Sequence, residues 1–167
     1  MAVQTLIDVL HQLIQLHEEL IVLADRKKSA LIENQVNEVS AIVNKESKIL
    51  RAVDELLKRQ AEATNAFFHA RGFQPTRAVT VTELSRLVAD SGQKGELLDA
   101  RNRLAAAVER LKEANQLNQH LIEQSLSFIN YSLDLMIGPD DEPVYRNPAE
   151  QQRGYGNKRS GYFDSRA

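Results

Sequence analysis

The sequence predicts an all-α fold, and three observations carry that prediction. The chain's four prolines and seven glycines fall in two places only, between Gly72 and Gly95 and from Gly138 onward, so the long stretches on either side hold no breaker. Within those stretches apolar residues recur at i, i+3, i+4 and i+7, the period of a helix with one buried face. There is no tryptophan, and β-branched residues do not gather into the short alternating runs of strands. The expected architecture is an antiparallel helical hairpin, one short helix and one long C-terminal helix forming an elongated bundle. A helical domain over 1–137 is expected to be followed by a disordered, flexible tail over 138–167.

The first helix is expected from about Val3 to Glu33. Its stripe is Leu6, Leu10, Leu13, His17, Leu20 and Ala24, widened by Val9, Leu16 and Leu23. Arg26, Lys27 and Lys28 read as a solvated basic turn. Asn34 reads as the turn and N-cap before a second helix over about Gln35 to Arg71. That helix carries Val36, Val39, Ile42, Val43, Glu46, Ile49, Leu50, Val53, Leu56, Leu57, Ala63 and Phe67. So short a link predicts that the two helices fold back on each other. His17, Glu46, Asn115 and Asn118 interrupt apolar stripes and are read as a hydrogen-bonded layer fixing helix register, in preference to a His17–Glu46 acid/base pair.

Pro75 and Gly72 mark a loop after the second helix. Thr80 with Glu83 three residues on is a capping-box pattern, predicting a short helix to about Ala89 that packs through Leu84, Leu87 and Val88. Asp90 to Gly95 is expected to be a second loop. From Glu96 to Ile137 about forty residues lack Gly and Pro. Their apolar stripe is at first narrow and small, with Leu97, Ala100, Leu104, Ala107, Val108, Leu111 and Ala114. It then widens: Leu117, Leu121, Ile122, Leu126, Phe128, Ile129, Leu133, Leu135 and Met136, with Ser125 between, spread over roughly half the circumference. The pairs Leu121-Ile122, Phe128-Ile129 and Leu135-Met136 repeat every seven residues. One neighbouring helix does not cover so wide a face, so it either lies between two helices or is kept for a partner. Beyond Pro139 the composition turns to Gly, Pro, Asn, Gln and mixed charge, with Tyr145, Tyr155, Tyr162 and Phe163 as its aromatics.

Composition narrows the function classes. A net charge of -2 and a pI near 6.1 make no electrostatic case for nucleic acid or an anionic membrane. The absence of cysteine removes thiolate chemistry and disulfides and fits a reducing compartment. No apolar run approaches the length of a membrane span, and Met1 to Asp8 lacks the features of a signal peptide, so a cytoplasmic location is expected. Inward Glu-x-x-His pairs, P-loops, zinc helices and serine elbows are missing; Asp8-x-x-His11 is the nearest spacing. The expectation is no enzyme, no metal and no cofactor. A helix-turn-helix over Val79 to Arg103 is disfavoured, because the following helix starts with Glu96 and Asp99 and is far too long to be a recognition helix.

Four runs carry a family resemblance: Leu13 to Ala24 (LIQLHEELIVLA), Lys28 to Gln35 (KSALIENQ), Lys45 to Leu50 (KESKIL) and Asn115 to Ile129 (NQLNQHLIEQSLSFI). In their order and spacing the chain resembles the FlgN family of flagellar export chaperones over nearly its whole length. The tail, with Tyr155-Gly156 and the terminal run from Phe163 to Ala167, looks like that of Gram-positive-type members. The resemblance implies a cytoplasmic helical chaperone that holds the flagellar hook–filament junction proteins before secretion, capturing their amphipathic terminal segments with its C-terminal region. Client binding is accordingly expected on Leu117, Leu121, Ile122, Leu126, Phe128, Ile129, Leu133, Leu135 and Met136. The resemblance also implies docking on the flagellar export-gate protein through a tyrosine near the C-terminus; Val144 and Tyr145 are the candidates, with Tyr131 and Tyr155 as rivals. Two alternatives stand beside this reading: a structural bundle or coiled coil that self-associates through the long helix, and a DNA-binding regulator.

Overall fold

A computed structural model describes residues 2–138 of the chain. Among the described residues there are four helices and no strand: α1 (Ala2–Ile32), α2 (Val36–His69), α3 (Val81–Ser85) and α4 (Ser91–Ile137). The all-α fold read from the periodicity is the fold observed. Two compact units make up the chain, Met1–Ile122 and Glu123–Ala167, so α4 belongs to the first unit as far as Ile122. The predicted tail lies outside the described residues, Gly138 apart.

α1 is the core helix of the first unit. Val3, Leu6, Ile7, Val9, Leu10, Leu13, Ile14, Leu20, Ile21, Leu23, Ala24 and Ala30 are all buried, and at 100° per residue most of them span an arc of about 160°. This arc is wider than the expected stripe because Ile7, Ile14 and Ile21 extend it on one side. Each fully enclosed Leu or Ile contributes about 1.5–3 kcal/mol of burial. Around the N-terminal half of α1 one cluster gathers Leu56, Ala63, Phe67 and Phe68 from α2, Leu84 and Val88, and Leu97 and Ala100 from α4. Phe67 and Phe68 meet edge to face at 5.6 Å, and the Arg71 guanidinium lies 3.6 Å over the Phe67 ring. A smaller cluster of Leu23, Ala30 and Ile42 closes the hairpin end.

The hairpin turn depends on Asn34, though not as the expected N-cap. Its φ of 55° is left-handed, a region that Asn tolerates because its short side chain bonds locally. The Gln35 amide donates to the Ala30 carbonyl at 2.9 Å and the Asn34 amide to Leu31 at 3.4 Å, the paired bonds of a Schellman cap ending α1. α2 then starts from Gln35, whose side chain makes no capping bond. α2 ends the same way: Gly72, at φ 75°, lets the Phe73 amide return to the Phe68 carbonyl.

α3 opens with the predicted capping box, Thr80 and Glu83 each accepting from the other's amide. Arg77 pairs with Glu83 at 2.6 Å; that bond and the Thr80 amide hold the Glu83 carboxyl down to about 2. The helix stops at Ser85, shorter than expected. Leu84 and Val88 enter the core while Leu87 stays exposed. The predicted loop over Asp90 to Gly95 is instead the start of α4. Asp90 caps it, its Oδ1 accepting from the Gln93 amide at 2.8 Å and its carbonyl from Lys94. A Cβ on Gly92 would stand 3.1 Å from that same Oδ1, so glycine leaves room for the cap, and the cap offsets its helix penalty of about 1 kcal/mol.

The α2 stripe is also narrower than expected. Of its expected stripe, Ile42, Leu56, Ala63 and Phe67 are buried, whereas Val36, Val43, Leu50 and Leu57 are exposed. α4 buries only Leu97, Ala100, Ala107 and Asn118.

The cap assignment predicts that Asn34→Gly is tolerated without loss of stability, while Asn34→Val costs about 1–2 kcal/mol, both read from urea unfolding with the helical content unchanged.

Candidate functional site

The positions proposed from sequence for partner binding fall in both units. At the end of the first unit Leu117 is exposed and Leu121 and Ile122 are half-buried. In the helical part of the second unit Leu126, Phe128, Ile129, Leu135 and Met136 are exposed, Phe128 by 70% and Met136 by 83%. Leu133 is half-buried, and Tyr131 and Ile137 add to the exposed apolar surface. Large side chains this open to water, so close together on one helix, exceed the scattered apolar residues normal on a protein surface. Val144, Tyr145 and Tyr155 lie outside the described residues; Tyr131 is exposed on α4.

Helical periodicity explains why these side chains neighbour one another. Phe128 and Ile129 stand one heptad before Leu135 and Met136, and Leu126 and Leu133 are also seven apart, so each pair returns to nearly the same angle on the helix. Gly138, at φ 91°, and the bond from its amide to the Asp134 carbonyl terminate the face.

The polar residues on the helix seams form a structural set. Lys27 Nζ donates to both carboxylate oxygens of Glu46, at 2.8 and 2.9 Å, and the two side chains are only 14% and 15% exposed. This pair ties α1 to α2 across their interface. Arg26 pairs with Glu38 at 2.7 Å nearer the turn. The basic cluster is therefore not the solvated turn expected from sequence: two of its three cations reach carboxylates on α2. Lys27 could have been suspected, because it follows Leu13 and Leu20 at seven-residue steps and so shares their buried side. His17 takes no part with Glu46. Its Nδ1 donates to the Leu13 carbonyl at 2.7 Å within α1.

Beyond the shared core, polar contacts tie α4 to α1. Arg110 reaches Glu18 at 3.0 Å on the surface, and Asn118, only 2% exposed, donates from Nδ2 to the Ala24 carbonyl at 2.9 Å. That donation fixes the orientation of the amide. Its Oδ1 is left buried without a donor among the described residues, an omission that costs about 1–3 kcal/mol. Asn115 is exposed and contributes no such buried bond.

Among the described residues no group of three or more His, Asp or Glu side chains could hold a metal ion, and no helix is long and apolar enough to cross a membrane. A family model described as FlgN protein matches residues 1–153. The chain belongs to the FlgN family. This is the family of flagellar export chaperones, proteins that bind flagellar components and are not known as enzymes. The chain is also similar over its whole length to a Bacillus subtilis (strain 168) protein of full-length match, 27% identical over 168 residues, named "Uncharacterized protein YvyG". No solved structure matches it. The internally satisfied ion pair between Lys27 and Glu46 holds α1 and α2 in register, and it leaves the exposed apolar residues of α4 without a part in the hairpin.

The Lys27–Glu46 pair predicts that Glu46→Ala costs about 3 kcal/mol, because an ammonium is left largely buried without its carboxylate. The double variant Lys27→Met with Glu46→Leu should return to within about 1 kcal/mol of the parent chain. Urea unfolding of the three proteins checks both values.

Proposed function

We infer that this FlgN-family chain is a cytoplasmic chaperone for the flagellar hook–filament junction proteins, holding their amphipathic terminal segments and delivering them to the flagellar export gate. The observation that carries the reading is the exposed run Leu126, Phe128, Ile129, Leu135 and Met136 on α4, in a chain whose family is one of flagellar export chaperones. With Leu117, Leu121, Ile122 and Leu133 it makes the proposed client-binding set. An amphipathic helix laid on such a face matches apolar anchors at i, i+3, i+4 and i+7. Covering each large side chain contributes about 1.5–3 kcal/mol, enough in sum to offset the ordering of a flexible client segment and leave micromolar or tighter affinity.

In this reading 1–137 is the chaperone domain and 138–167 its tail, and Val144 and Tyr145 supply the contact with the export gate. A client segment held on the chaperone is kept from premature assembly, since the apolar face it needs for assembly is already covered. The competing reading, a bundle that self-associates through α4 without a client, draws on the same exposed residues.

Purified junction protein is expected to form a stoichiometric complex with the parent chain, and Phe128→Asp to weaken that complex at least about thirtyfold, since a carboxylate cannot be desolvated in the seam, with the thermal midpoint unchanged. A chain that stays oligomeric on dilution and shows no affinity for the junction protein contradicts the reading. Tyr145→Ala is expected to lose binding to the export-gate protein in a pull-down while keeping the client; unchanged gate binding removes Tyr145 from the role.

A further inference from the structure

The hairpin of α1 and α2 has an open side of its own, within the first unit. There a groove of about 570 Å³ runs between the two helices. α1 supplies Glu18, Glu19 and Val22 to it and α2 supplies Lys45, Lys48 and Ile49, over a floor that includes the buried Leu23. No α4 residue lines it. Leu20, which lines a separate cavity together with α4, stands about 160° from Val22 around α1 at 100° per residue. The groove is apolar along its middle, where Val22 is 58% exposed, acidic on its α1 wall and basic on its α2 wall.

The charges of the two walls are not spent on each other. Among the described residues Glu19, Lys45 and Lys48 make no ion pair, whereas Glu18 is engaged at 3.0 Å by Arg110. Opposite signs on facing walls disfavour a ligand of one sign, since an anion drawn to Lys45 and Lys48 meets Glu19. The occupant they specify is positive along one edge, negative along the other and apolar between. This chain carries such a surface, which is the groove face itself. Two copies meeting on one face are related by a two-fold axis lying in the interface, and the charges select its direction. An axis along the groove lays α1 of each copy over α2 of the other, so that Glu19 faces Lys45 and Lys48 twice and Val22 meets Ile49 twice. An axis across the groove sets α1 on α1, with Glu19 against Glu19 and Lys48 against Lys48, which like-charge repulsion disfavours.

We propose that the groove between α1 and α2 pairs with the same groove of a second copy of this chain, about a two-fold axis parallel to the hairpin. Glu19 of each copy then faces Lys45 and Lys48 of the other, and Val22 packs on Ile49. None of these residues belongs to the proposed client-binding set, so the pairing is independent of the client reading. A dimer built this way brings two client-binding sets into one particle.

The test is sedimentation of the full chain over a concentration series at low salt, for the parent, for Glu19→Lys, for Lys45→Glu combined with Lys48→Glu, and for Phe128→Asp. Glu19, Lys45 and Lys48 are exposed, so the charge variants should keep the parent's helical content and thermal midpoint. Each sets like charges against one another in both halves of the interface and should weaken the dimer at least about tenfold. An equimolar mixture of the two charge variants should regain the parent's dimerisation, because each half of the mixed dimer again joins opposite charges; a folding defect is not rescued by mixing. A parent chain that is monomeric at about 1 mM overturns the proposal. So does a dimer that both charge variants retain and Phe128→Asp disrupts, which assigns self-association to α4. Charge variants that stay monomeric when mixed overturn the two-fold along the groove. A monomeric parent whose binding of purified hook–filament junction protein is weakened by Glu19→Lys assigns the groove to the client and overturns the pairing.

Discussion

The burial of α1 is the constraint on which the rest of the structure depends. Leu6, Leu10 and Leu13 are enclosed by Phe67, Leu84 and Leu97, drawn from three other segments, and a single helix with a buried arc of about 160° has room for neighbours on both sides. Once α2 and the first turns of α4 have taken those places, the core is complete. The apolar residues that remain, Val43, Leu50 and Leu57 on α2 and Leu126 to Met136 on α4, have no part in it. Surplus apolar surface on an otherwise well-packed helical unit is what a binding protein needs and what a self-sufficient one avoids.

The polar residues at the seams complement this division. Lys27 and Glu46 are largely withdrawn from water, and a pair of that kind adds less to stability than to uniqueness: slipping α2 by one turn would strand both charges. Asn118 differs, since only half of its amide is satisfied. The hairpin is thus locked by a closed interaction, whereas the contact of α4 with α1 leaves one buried acceptor without a donor among the described residues.

Much of this was legible in the sequence. Pro and Gly placement set the helix limits to within a few residues except at α4, where Gly92 and Gly95 read as breakers because the capping geometry of Asp90 is a three-dimensional fact. Asn34 announced the turn, but whether it ends one helix or starts the next depends on φ, which composition does not encode. The width of the α4 stripe was readable from period alone. Which part of the α2 stripe faces water was not, because periodicity ranks residues around a helix without saying where its neighbours stand. The seven-residue spacing of Lys27 from Leu13 and Leu20 pointed to the buried side of α1, but its partner was not legible, because Glu46 lies on another helix and a local charge pattern favours the solvated reading.

Client capture requires the helix surface from Leu126 to Met136 to be open to water in the client-free chain and covered in the complex. Backbone amide hydrogen exchange of the client-free chain and of its complex with junction protein tests this most directly. Amides of Leu6 to Ala24 should be the slowest to exchange in both states, while those of Leu126 to Met136 should exchange quickly in the free chain and slow by at least about tenfold in the complex. Protection of Leu126 to Met136 equal to that of α1 in the free monomer, unchanged by the client, would contradict it.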